Sequence, residues 1–152
     1  MSSFTRRDLC TLLAALPTMS GTALVAQATT ATADSKLTHS IGYRFESLPV
    51  THQEGGGEIR NILHGTLPTG EMVDIHETSL PPGKIPHAPH RHLHSEFTLV
   101  REGTLEFYND GKPEIVGAGG DIFAASGVLH GWKNVGITPA TYFVFAIGDS
   151  KL

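Results

Sequence analysis

Turn-forming clusters constrain this 152-residue chain more than any other feature of its sequence. Gln53-Glu54-Gly55-Gly56-Gly57, Pro68-Thr69-Gly70, Pro81-Pro82-Gly83, Asn109-Asp110-Gly111 and Gly117-Ala118-Gly119-Gly120 cut it into short pieces. The pieces carry strand patterning. In 71–80, Val73, Ile75 and Glu77 alternate with Asp74, His76 and Thr78, which gives a strand two different faces. Segments 41–48, 58–67, 97–101, 104–108, 113–116, 121–125, 130–134 and 141–147 read as further strands. Residues 142–146 are continuously apolar, which predicts burial on both sides. Many short strands between Gly/Pro turns predict an all-β antiparallel sandwich or barrel, with no helix beyond the N-terminal region.

At this length the chain holds one domain with a sizeable core. Its formal charge of -4 and the lack of a long Lys/Arg run offer no footing for nucleic acid. Residues 1–28 stand apart. Arg6-Arg7 precede a moderately apolar run that is broken by Pro17 and Gly21 and closed by Ala26-Gln27-Ala28. This is the form of a twin-arginine export signal, and the run is too short and broken for a stable membrane span. Cleavage is expected after Ala28, with Ala33 as the alternative, leaving a periplasmic protein. Cys10, the only cysteine, departs with the signal, so no disulfide or thiolate metal site is expected. Residues 29–40 read as a disordered connector and 41–152 as the folded domain.

Four of the nine histidines fall in Pro86-His87-Ala88-Pro89-His90-Arg91-His92-Leu93-His94-Ser95-Glu96. Imidazoles and a carboxylate at this density point to a metal site. On a strand His90 and His92 would face one side about 6 to 7 Å apart, within reach of one ion. Glu96 shares their parity but would lie about 13 Å from His92 on a straight strand, so it joins them only if 93–95 bend. Its alternative role is a turn residue paired with Arg91 or Arg101. Pro86 and Pro89 disfavour a helix here. His94 is expected to point outward from the bend and His87 to sit on a cavity rim. Asp74 and His76 share a strand face: on an interior face His76 is a reserve acid or base, and otherwise the two form a solvent-facing stripe. His130 follows His92 by 38 residues, a separation that antiparallel strands can close, and Trp132 shares its parity and could wall a cavity.

Gly83, His90, His92, Glu96 and Gly103 resemble the first motif of the cupin superfamily, and Gly119, Gly127, His130 and Asn134 resemble the second. The fifteen residues between Gly103 and Gly119 fit the short inter-motif segment of small single-domain bacterial members. One extra residue lies between Gly83 and His90, and Ala125 stands where proline is usual; both departures touch turns. The resemblance implies a double-stranded β-helix, or jelly-roll barrel, with motifs at 83–103 and 119–134. It implies a divalent transition metal (Mn, Fe, Co, Ni, Cu or Zn) held by His90, His92, Glu96 and His130, with positions left open for a small-molecule ligand or substrate. Cupins include dioxygenases, decarboxylases, isomerases and lyases, so the motif does not name a reaction. A dioxygenase-like activity is the leading expectation, with Glu96 exchanging protons with substrate and His76 in reserve. The alternative is a non-catalytic module that captures a small ligand or buffers metal. A homodimer is expected of a small cupin.

Overall fold

The computed structural model of the protein describes residues 36–149. The export signal over 1–28, both cleavage points and residues 29–35 of the connector lie outside the described residues. Nine strands follow in order among those residues: β1 Val50–His52, β2 Glu58–Thr66, β3 Met72–Leu80, β4 Ser95–Glu102, β5 Thr104–Asn109, β6 Lys112–Gly117, β7 Asp121–Ala124, β8 His130–Asn134 and β9 Ala140–Ile147. Lys36 forms an isolated bridge with Thr66, tying the start of the described chain to the end of β2.

The expected strand over 41–48 is replaced by exposed chain with one 3-10 turn, Phe45–Ser47. Ser47 donates to the Arg44 carbonyl from both its backbone N (3.0 Å) and its Oγ (2.7 Å). This local turn takes up groups that a ladder would need, and pairing begins only beyond Pro49.

The strands form two sheets, β1-β2-β3-β9-β4-β7 and β6-β5-β8, with every pairing antiparallel. Alternation along β4 and β7 turns Thr98, Val100, Ile122 and Ala124 inward. They meet Leu105, Phe107 and Trp132 of the smaller sheet in one core with Leu80, Tyr142 and Val144. The result is a two-sheet jelly-roll barrel. Two polar side chains that enter this core are paired: Trp132 Nε1 donates to Tyr142 Oη at 3.1 Å. Buried Asn134 donates to the carbonyls of Leu80 and Thr138 and accepts from Gly136 N. The β4–β5 turn needs glycine, because a Cβ on Gly103 (φ +83°) would lie 2.6 Å from Ala140 Cα.

Burial of β9 on both sides does not hold. Its inward residues are buried, whereas Phe143 and Phe145 are half-buried and Ile147 is 40% exposed on the outer face. No described residue covers that face fully.

Cross-strand partners point to the same side of a sheet. One inner row therefore runs His64, Asp74, Ala146, Glu96, Ala124, and the next runs His76, Val144, Thr98, Ile122. Further along come Thr78, Tyr142 and Val100. The inner face thus passes from titratable groups at one end to apolar packing at the other.

Candidate metal centre

The His-rich stretch is not a continuous strand. His90 bridges to His130, each backbone N donating to the other's carbonyl at 2.9 and 3.0 Å. Gly131 lets the chain in this close: a Cβ there would lie 3.2 Å from Pro89 Cα. Gly127 N donates to the His92 carbonyl at 2.8 Å, and the Arg91 guanidinium donates to the Gly127 carbonyl at 2.6 Å. The two histidine-bearing motifs are therefore stapled together by backbone. The chain then bends at Leu93 and His94 before β4 begins, and this bend brings Glu96 in.

At the centre, the His92 Nδ1–H donates to the His94 carbonyl at 2.8 Å and the His130 Nδ1–H to the Val128 carbonyl at 2.9 Å. Those bonds leave the lone pair of each ring on Nε2. His92 Nε2 lies 3.3 Å from Glu96 Oε1 and His130 Nε2 3.5 Å from Glu96 Oε2. His92 Nε2, His130 Nε2 and Glu96 Oε2 are buried without a hydrogen-bond partner among the described residues, as is His90 Nδ1. Acceptors that converge with no donor call for a cation. Ligand atoms of His90, His92 and His130 lie within 4.8 Å of one another, as do those of His92, His94 and Glu96. These residues fit a metal ion of the imidazole- and carboxylate-binding class.

Electrostatics agree. Burial would raise the Glu96 carboxyl, but the close approach of His130, the hydrogen bond from His94 and the charge of His92 bring it down to about 2. Burial and the neighbouring imidazoles lower His90. Burial also lowers His92, against the pull of Glu96. Both are thereby kept neutral, the form that ligates. Burial opposes protonation of His130 too, yet its contact with Glu96 raises its pKa above the ordinary value.

The four residues expected as ligands, His90, His92, Glu96 and His130, are brought together. His94 does not point outward: its ring stacks on His92 with centroids 3.5 Å apart, and its Nε2 meets Glu96 Oε1 at 3.0 Å. The bend that was expected to expel His94 instead folds its ring back over the carboxylate. Neither arginine engages Glu96, since Arg91 faces Asp110 and Arg101 faces Glu77. His87 contacts the His90 ring edge-on at 4.3 Å and lines a cleft of about 150 Å³ with Tyr108, Glu106 and Trp132. Asp74 and His76 lie on the interior face, and His64, which sequence reasoning missed, joins them through Asp74.

A jelly-roll barrel with three histidines and a glutamate gathered at one end by two glycine-bracketed motifs defines a class. That class is the cupin fold. The family model described as a cupin domain matches residues 76–146. Among solved structures, an RmlC-like cupin from Shewanella frigidimarina aligns with TM-score 0.62 and 18% identity, over 73% of this chain and 93% of that one. The polyketide cyclase RemF from Streptomyces resistomycificus aligns with TM-score 0.59 and 19% identity, over 74% and 82%. A predicted oxalate decarboxylase from Thermotoga maritima gives TM-score 0.58 and 21% identity, over 72% and 100%. At these identities the likeness is one of fold. No curated protein matches the sequence.

Proposed function

We propose that the protein is an exported, metal-dependent cupin enzyme that binds one divalent transition ion through His90, His92, Glu96 and His130 and acts on a small metabolite there. The observation that carries this reading is the set of buried, unpaired acceptors converging between β4 and β8. His94 then orients Glu96 by donating to Oε1. A bound ion would polarise a carbonyl or hydroxyl of the metabolite and leave room for dioxygen. The chain's own residues hold the ligand set in place, keep His90 and His92 neutral and offer Glu96 as a proton-exchanging carboxylate. Enzyme is favoured over binding module because Asp74 and His76, a proton-handling pair outside the ligand set, share the same interior face. Arg6-Arg7 and the following broken apolar run support export to the periplasm.

The same reading includes a homodimer through the outer face of the large sheet. Phe97 and Phe123 are 49% and 55% exposed there, with ring centroids 4.9 Å apart. The outer row Arg60, Glu77, Phe143, Leu99, Asp121 has a cation at one end and an anion at the other. A second copy related by a two-fold axis therefore meets opposite charges around an apolar centre.

The test isolates the protein from its own host's periplasm, measures metal by elemental analysis and screens chelating metabolites for conversion and oxygen uptake. One ion per chain and turnover of a metabolite are expected, with oxygen uptake marking a dioxygenase. A metabolite bound and returned unchanged favours the binding module, and a metal-free protein that takes up no added ion overturns the reading.

A further inference from the structure

A second titratable cluster lies beside the candidate metal centre on the inner face of the large sheet. Asp74 accepts from His64 Nδ1 at 2.9 Å and from His76 Nδ1 at 3.2 Å, one imidazole on each carboxylate oxygen. The register sets Asp74, Ala146 and Glu96 side by side on the inner face. Two strand spacings put the Asp74 and Glu96 backbones about 10 Å apart. In that row only the methyl group of Ala146 stands between the two carboxylates.

The hydrogen bond from His76 lowers the Asp74 carboxyl; burial opposes this and His64 adds to it. The ionised carboxylate accepts from the Nδ1–H of each ring, and in a neutral imidazole that donation places the lone pair on Nε2. This is how an aspartate orients a histidine base. Inner-face placement and orientation by Asp74 occur together at His76, one row along from the row that holds Glu96. Its side chain is 23% exposed, enough to exchange a proton with solvent.

We propose that His76, oriented by Asp74 and with His64 fixing the other carboxylate oxygen, is the proton acceptor for a small 2-oxo or 2-hydroxy acid whose oxygens sit at the His90/His92/Glu96/His130 centre. This rests on the metal-binding reading of that centre. His76 Nε2 takes the proton from the carbon beside the carbonyl, and the electron pair of that C–H bond moves into the adjacent carbon–carbon bond as the carbonyl pair moves onto oxygen. Return of the proton from Nε2 to the oxygen completes a tautomerisation, and its return to the carbon completes an exchange with solvent. Neither course needs an oxidant or a co-reactant. The reaction class is proton transfer beside a carbonyl, as in isomerisation, and His64 and Asp74 are positioning residues.

Two measurements test this. The first uses metal-free protein and long-range proton–nitrogen NMR of the imidazoles. His64 and His76 are expected as Nδ1–H tautomers, and Asp74→Asn is expected to shift both toward Nε2–H; Nε2–H tautomers in the wild type overturn the assignment. The second follows deuterium uptake from heavy water into pyruvate and 2-oxoglutarate by metal-loaded protein, against the free ion. Exchange above the free ion is expected, falling about 100-fold or more in His76→Gln and in Asp74→Asn at unchanged metal content. His64→Ala is expected to lose less, with a broadened His76 signal. Exchange that survives in His76→Gln, or no exchange above the free ion, overturns the proposal. A wild type that binds no ion defeats the metal reading instead, and the tautomer measurement still judges the orientation by Asp74.

Discussion

Near one end of the barrel the inward residues of β3, β4, β8 and β9 are Leu80, Val100, Trp132 and Ala140; a few positions along the same strands they are Asp74, His76, Glu96, His130 and Ala146. At the first end the polar atoms of Trp132, Tyr142 and Asn134 are paired. At the second, His90 Nδ1, His92 Nε2, Glu96 Oε2, Thr98 Oγ1 and His130 Nε2 are buried without hydrogen-bond partners among the described residues. The remaining such atom, Glu77 Oε1, lies on the outer face 2.8 Å from Arg101. Each unpaired buried group costs about 1–3 kcal/mol, and that cost is concentrated where a ligand can relieve it. The closed end supplies stability that the open end gives up.

The contrast predicts unequal outcomes for truncation at the two ends. Trp132→Ala removes the largest core side chain and the donor to Tyr142, and should destabilise the fold by about 3–5 kcal/mol in denaturant titration. His130→Ala, two residues away, should destabilise the metal-free fold by less, because truncation also removes an Nε2 that is buried without a hydrogen-bond partner and so offsets part of the lost packing. Equal destabilisation by both would erase the distinction between the ends. Next in size, Phe97→Glu should convert the proposed dimer to a monomer in sedimentation without lowering metal content, since Phe97 lies on the outer face and the candidate ligands on the inner one. A wild type that sediments as a monomer refutes the dimer.

Much of this contrast is legible in the sequence. Gly and Pro clusters mark the turns because few other residues take those backbone angles, and the spacing of His90, His92, Glu96 and His130 marks the centre because ligation fixes it. His64 was hidden by a β-bulge between Asn61 and Leu63. Simple alternation would place His64 with Arg60 on the outer face, but the inserted residue flips it inward. His94 was misplaced because its backbone carbonyl and its ring serve different partners, His92 and Glu96. Segment 41–48 was misread because a side-chain-supported turn at Arg44 and Ser47 competes with extension.

Smaller effects sharpen the picture at the open end. His94→Ala removes the donor that orients Glu96 and should weaken metal binding about 10–100-fold, measured by competition with a chelator. The effect of pH is smaller again. The raised pKa of His130 means that it is protonated below that pKa in the metal-free protein, and the proton must leave before metal binds. Metal affinity should therefore rise with pH by up to about tenfold per unit until His130 is neutral, then flatten. Affinity independent of pH across that range would show that no proton competes for the centre.

The most direct test of the central claim is metal stoichiometry in the wild type and in His92→Ala, with circular dichroism confirming that both are folded. One divalent transition ion per chain in the wild type and loss of that ion from a folded His92→Ala protein are predicted. Full metal content retained by His92→Ala would contradict the account.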